Sequence, residues 1–459
     1  MKQFKLCIFI LITLCSLLST VYGQWLETTI PVGNRPSALV WNPNNNKVYC
    51  TINDSVTIID GAANSVITTV PVGQSPYDAL VWNSTNNKVY CTNRGSSNVT
   101  IINGTTDSVI TNVTVASYPR ALVYNSANNK IYCASFDYSS CGTVAIIDGA
   151  TNSVIKTDTV GTVPCALVWN STNNKVYCAN YYGNTITVID GVTNSVITTV
   201  WVGGWPYDFV WNSINNKIYC AVDNANNVTI LDGTTDSVIT TITVGNDPSA
   251  LAWNSQNNKI YCANWLSGNI TVIDGVANNV ITTVTVGIEP QALIYNPTNN
   301  KIYCANFGSN NVTVIDGSTN QVITTIDVGN EPANFTYNEL QNRVYVANWY
   351  SSSISVIRDV MPGVEEERSS LDVLHTMLEI YPNPVKSLSI IHYSLPAESK
   401  VSLLLYNISG RLVKTLVDEN KKSGIYNVPL NVKMLSAGVY FLSLQTESKR
   451  LIERLVVVK

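Results

Sequence analysis

The sequence predicts an all-β chain: an eight-bladed β-propeller of four-stranded blades, the last blade closed by the N-terminal strand, followed by a small β-sandwich domain. Three observations carry this. The motif Asn-Asn-Lys-[Val/Ile]-Tyr-Cys recurs at Lys47, Lys88, Lys130, Lys175, Lys217, Lys259 and Lys301, with Arg343 in the eighth place, at steps of 41, 42, 45, 42, 42, 42 and 42 residues. Each unit holds four short β-branched runs separated by turn residues. The runs at the two ends of the array complete one another.

The unit after Gly245 shows the elements in order. Residues 249–253 form a first strand, and residues 254–258 a polar turn in which Asn tolerates the left-handed conformation. Residues 259–264 form the second strand and 265–269 a loop. Residues 270–273 form the third, closed by Asp274-Gly275. Residues 280–286 form the fourth, before Gly287 and Pro290. No helix is expected in the repeat region. One four-stranded unit buries too little surface to stand alone. Radial stacking gives each unit two apolar neighbours. Every unit opens its first strand after a proline (Pro36 to Pro332) and ends it on Trp or Tyr (Trp41 to Tyr337). Such uniformity signals packing, not chemistry.

Strands one to three occur eight times, but the eighth unit ends at Ile357 without a fourth. Trp25 to Val32 followed by Gly33 matches Val66 to Val72 followed by Gly73, a fourth strand. The start of the mature chain therefore closes the last blade.

Bulk properties narrow the function. Lys2 and Lys5, an apolar run from Leu6 to Leu18, and small residues at Val21 and Gly23 read as a secretory signal peptide over residues 1–23. No other stretch is long and apolar enough for a transmembrane segment in the mature chain. Residues 24–357 carry 12 basic against 20 acidic residues, a net of −8, and eight of the 12 are the repeat anchors. No basic stripe remains for a phosphate backbone, so nucleic acid is not an expected partner. Seven of the 11 cysteines (Cys50, Cys91, Cys133, Cys178, Cys220, Cys262, Cys304) hold one repeat position and read as small buried hydrophobes. Cys133 and Cys141 are a candidate disulfide across the one enlarged loop.

The repeats resemble the YVTN-type β-propeller repeat. Tyr90-Cys91-Thr92-Asn93 and Tyr345-Val346-Ala347-Asn348 fill its first element, Val188-Ile189-Asp190 its second, and Val72-Gly73 with Pro76 its third. The resemblance covers about residues 25–357 and implies the fold. It leaves function open, because such propellers host surface, binding and enzymatic roles.

After residues 358–377, read as a linker, residues 378–459 resemble the C-terminal sorting domain of type IX secretion cargo. Tyr381-Pro382-Asn383-Pro384, Tyr393-Ser394-Leu395-Pro396, Gly410, Gly424, Gly438-Val439-Tyr440 and terminal Lys459 stand in the expected order. Asn431-Val432-Lys433 departs from the aromatic common before the Gly-Val-Tyr segment. The resemblance implies type IX-like machinery as a partner and passage through the outer membrane. It also implies removal of the domain, with release or attachment to the cell surface.

The two histidines, His375 and His392, lie outside the repeats. The ring thus lacks a Ser-His-Asp relay and His-based metal or haem ligation. No dense Asp-x-Asp-x-Asp loop marks a calcium site. No catalytic residue, metal or cofactor is expected. Asp60, Asp148, Asp190, Asp232, Asp274 and Asp316 precede glycine, with Asn103 in the same place, and read as turn formers. Function is expected where the copies disagree. The loops after strand two hold Arg94, Tyr138, Tyr181, Tyr182, Asp223, Trp265, Phe307 and Trp349. The entries to strand one hold Arg35, Tyr77, Asp78, Arg120, Trp205 and Asp208. Aromatics beside Asn and Ser suit stacking on sugars or gripping peptide. The leading expectation is a secreted or cell-surface, non-catalytic module binding glycan or protein. The alternatives are a structural surface protein, and a hydrolase or lyase using Asp78, Asp208 or Asp223 at the channel mouth.

Overall fold

A computed structural model describes residues 23–136, 141–360 and 377–458, apart from residues 382, 386–387, 396–397, 423, 434 and 447–448. Residues 1–22 of the expected signal peptide, Tyr138, and residues 361–376 of the expected linker lie outside the described residues. The chain divides into two compact units, residues 1–364 and 365–459.

The first unit holds eight four-stranded antiparallel sheets. In the unit after Gly245 the strands are Pro248–Asn254, Lys259–Asn264, Asn269–Asp274 and Val280–Thr285, paired in that order. The last sheet runs Pro332–Asn338, Arg343–Asn348, Ser353–Asp359 and then Gln24–Pro31. Thr29 pairs with Ser355 and Ile30 with Ile354, so the N-terminal strand closes the ring as its repeat match predicts. Arg358 and Asp359, expected in the linker, belong to this last blade. Among the described residues of this unit, the one helical element is the single 3-10 turn Asp223–Ala225.

Each blade interface has its own apolar core, and strand two explains why. Side chains alternate along a strand, so Tyr261 and Ala263 face one neighbouring blade while Ile260 and Cys262 face the other. Both faces are covered, which makes the Lys-Ile-Tyr-Cys-Ala-Asn run buried throughout its middle. The seven repeat cysteines are fully buried and free. The candidate Cys133–Cys141 bridge is corrected. Cys133 sits inside strand two facing the blade interface, whereas Cys141 is exposed in the loop, and no disulfide joins the two.

The lysine and tyrosine of the motif clamp the next blade. Lys259 Nζ donates to the Gly317 carbonyl (2.9 Å) and to Asn320 Oδ1 (3.0 Å), and the Tyr261 hydroxyl donates to Asn320 Oδ1 (2.8 Å). Lys175 and Tyr177 treat Asp236 in the same way (2.7 Å each). Burial pulls Lys88, Lys217 and Lys259 below the usual lysine range, partly offset by nearby aspartates. A second ring links the turns. Asn254 Nδ2 donates to Asn300 (2.8 Å), Asn296 to Asn342 (2.9 Å) and Asn338 to Asn46 (2.8 Å), crossing the chain's own closure. The acceptor asparagines adopt positive φ, near 50°, which Asn tolerates. Asp274 Oδ1 accepts from the backbone N–H of Val276 and Ala277 (2.7 and 2.8 Å), the turn-forming role expected of its class.

The second unit pairs a three-stranded sheet with a four-stranded one. Tyr393, Leu403, Leu405, Leu442 and Leu455 from the two sheets share one core, giving the expected sandwich. Asn383 ties the entry motif to the last strand. Its Nδ2 donates to the Arg454 carbonyl (2.6 Å) and its Oδ1 accepts from Val456 N–H (2.9 Å).

Candidate functional site

The face opposite the asparagine ring carries the variable residues, and the backbone holds them in register. In seven blades the residue before the repeated proline accepts a hydrogen bond from the first residue after strand two; in the first blade Asn53 N–H donates instead to Asn34, one residue earlier. Trp265 N–H donates to the Asp247 carbonyl (2.8 Å), Phe307 to Glu289 (2.9 Å), Trp349 to Glu331 (2.9 Å), and Tyr181 to Val163 (2.9 Å). In seven blades the pre-proline residue has φ between 49° and 60°. That left-handed conformation is costly for any side chain, most of all for the β-branched Val163. The repeat thus fixes a strained but uniform frame and varies only the side chains upon it.

Those side chains gather in aromatic clusters. Tyr181 lies 5.1 Å from Trp205, 5.0 Å from Tyr182 and 5.9 Å from Tyr207, ring centre to ring centre. Trp265 lies 5.5 Å from Phe307, and Tyr77 meets Trp349 edge-on at 5.2 Å. Arg35 stacks over Trp349 at 5.7 Å, and Arg94 over Tyr118 and Phe136 at 5.8 and 5.4 Å. Tyr182 is 53% exposed and Tyr350 73%, so the rim presents aromatic surface to solvent.

At the centre lies a cavity of about 480 Å³ that brings together Tyr77, Asp78, Arg120, Asp208, Phe307 and Trp349. Arg120 sits over the Tyr207 ring at 5.9 Å. Burial raises the Asp78 carboxyl, opposed by the positive charges of Arg120 and Arg94. Burial pushes Asp208 up to about 6, against the stabilising N–H groups of Leu251 (2.8 Å) and Phe209. Cys165 also lines the cavity, and burial pushes its thiol up to about 12, so it stays un-ionised at neutral pH. A smaller cavity of about 260 Å³ joins Asp223, Asp247 and Trp265. There Tyr181 donates to Asp223 (2.8 Å), and burial with the adjacent Asp223 carboxylate pushes Asp247 up to about 6.

The sequence-predicted residues therefore fall into one axial group and a surrounding rim, with Arg35, Arg94, Tyr181, Tyr182, Trp205, Asp223 and Trp265 in the rim. Sequence reasoning missed Asp247, Glu289 and Glu331 before the prolines, and Cys165, Ser249, Gln291 and Asn334 just after them. Aligning the eight copies on the proline would have found them. Among the described residues, no three or more His, Cys, Asp or Glu side chains gather as a metal site. Among them, too, no helix is long and apolar enough to cross a membrane.

Fold and tail together define the class: an exported β-propeller with a C-terminal sorting domain. The family model of YNCE-like β-propellers matches residues 113–365, more than half of the chain, and the chain belongs to that family. A secretion-system C-terminal sorting domain matches residues 379–458, which marks the protein for type IX secretion to the cell surface or extracellular space. No curated protein matches the chain. Among solved structures, Saccharomyces cerevisiae Sqt1 is similar at 12% identity with a TM-score of 0.63, over 74% of this chain and 99% of its own. Kuenenia stuttgartiensis hydrazine synthase is similar at 16% identity with a TM-score of 0.51, over 61% and 95%. Both likenesses concern the fold alone.

Proposed function

We propose that this exported propeller is a non-catalytic binding module that engages glycan or protein through its variable loop face. One observation carries the reading. Aromatic side chains cluster at equivalent, rigidly held positions on one face, while the other face repeats a nearly unchanged amide network. Aromatic anchors on a fixed backbone lose little entropy on binding, so they concentrate affinity. We also propose cleavage after residue 23, a propeller from residue 24 to Asp359, and a linker after it that leads to the sorting domain.

The test is Trp265→Ala combined with Trp349→Ala in the full chain. Glycan-array and pull-down signals are expected to fall by at least about tenfold, as loss of hot-spot aromatics does. Undiminished cell-surface binding by the double variant counts against the reading. A second reading, hydrolase or lyase chemistry, draws on Asp78 and Asp208 sharing one cavity with Arg120. Substrate turnover that disappears in Asp208→Asn would select it.

A further inference from the structure

The axial cavity differs in chemistry from the rim that surrounds it. In six blades an alanine opens the first strand after the proline; in the fifth and eighth, Asp208 and Asn334 replace it. The second blade carries one extra residue there, which sets Tyr77 and Asp78 at the same mouth. The exceptions to the small-residue rule thus converge on one cavity.

Its groups are mixed in a particular way. Asp78 lines the cavity, and its Oδ2 is buried with no hydrogen-bond partner among the described residues, so this carboxyl keeps unused acceptor capacity. Asp208 commits Oδ2 to Leu251 N–H. Arg120 supplies donors, and Tyr77 and Trp349 supply aromatic surface. A cationic ligand would meet the Arg120 guanidinium; an anionic one would meet two carboxylates. A neutral molecule rich in hydroxyls can donate to the carboxylates, accept from the guanidinium, and lay a C–H face on the rings. The volume, about 480 Å³, is that of a small-molecule site and admits a chain end, not a folded partner.

We propose that this cavity takes the terminal residue of a neutral glycan chain, which enters end-on along the channel axis. The inference rests on the binding reading above and sharpens it: the rim holds the chain, and the axial groups select its end.

The experiment uses the full chain and neutral oligosaccharides immobilised through their reducing ends. One set has free non-reducing ends; the other has every hydroxyl of the terminal residue methylated. Binding to the free-ended set is expected to fall about tenfold or more in Asp78→Asn, a change near 1.4 kcal/mol. The same loss is expected for the methylated set with the unaltered protein. Ala333→Phe, which fills the cavity and leaves every charge in place, is expected to match it. Thermal melts of both variants show whether the ring is intact. Equal binding of free and methylated ends, lost only in Trp265→Ala, means that the glycan lies across the rim; this inference then falls and the binding reading stands. Capture of a protein alone, dependent on Trp265, has the same consequence. If neither rim nor cavity variants change any signal, both fall.

Discussion

Tyr261 shows how one repeated residue serves two purposes. Its ring fills a blade interface while its hydroxyl donates to Asn320 in the next blade's turn. Tyr261→Phe keeps the ring and leaves the turn acceptors short of a donor. It is expected to cost about 1 kcal/mol, read as a lower denaturant midpoint at unchanged slope. Asp208 makes the contrasting case, a residue that the fold tolerates at a cost. Its carboxyl titrates near 4 in the unfolded chain and at about 6 in the folded one. The folded state therefore holds the proton longer. No penalty exists below about pH 4; one accumulates between pH 4 and 6 and persists above. Asp208→Asn is expected to remove about 2 kcal/mol of the stability lost across that window. Melts at pH 4 and pH 7 check this: the variant's curve should be the flatter. An identical pH dependence in both proteins would show that Asp208 is not desolvated as described.

At the scale of the element, the N-terminal strand Gln24–Pro31 decides whether the ring is closed. Its repeat pattern carries the apolar match, but the joint also uses residues that no other blade has. Glu27 takes a bidentate contact from Arg343 (2.7 and 2.5 Å), the one anchor that is not lysine. Asp359 is buried among Lys301 (2.6 Å), Gln24 (2.9 Å) and Asn296 (2.5 Å). Arg343 is legible in the sequence as a substitution; its partner is not, because 316 residues separate the two. Glu27→Ala leaves a mostly buried guanidinium half-paired. It is expected to destabilise the propeller by about 1–3 kcal/mol and to hasten proteolysis near the N-terminus. An unaltered melting point and cleavage rate would mean that the ladder alone holds the closure. The outer strands illustrate another device. Val280 and Ile281 are 41% and 43% exposed on the blade's outermost strand, an arrangement that invites edge pairing. A register shift between Val272 and Ile273 opposite them twists that strand, and such bulges discourage flat association.

Across the whole molecule, the two faces divide labour. The asparagine and lysine clamps occupy one face in nearly every blade, so that face is where repetition stabilises. The other uses the same backbone frame for Arg94, Phe136, Tyr181, Asp223, Trp265, Phe307 and Trp349 in turn, so that face is where variation is permitted. The sorting domain marks the chain for export to the cell surface or the extracellular space.

The repeat period, the strand content, the closing strand and the C-terminal sorting domain were all legible in the amino-acid order, because each depends on local periodicity or short motifs. The seven buried cysteines and the turn-forming aspartates followed from their positions alone. The candidate Cys133–Cys141 bridge did not hold, since spacing in the chain says nothing about which side of a strand a thiol faces. Nor could spacing show that Asp78, Arg120 and Asp208 share one cavity, or that Asp223 and Asp247 adjoin. Those meetings bring together residues from different blades, and only the closed ring sets the distances. The sequence by itself therefore determined the scaffold and its destination, through patterns each blade carries whole. The tertiary structure decided the axial cavity, because its lining comes together only where the blades converge on one axis.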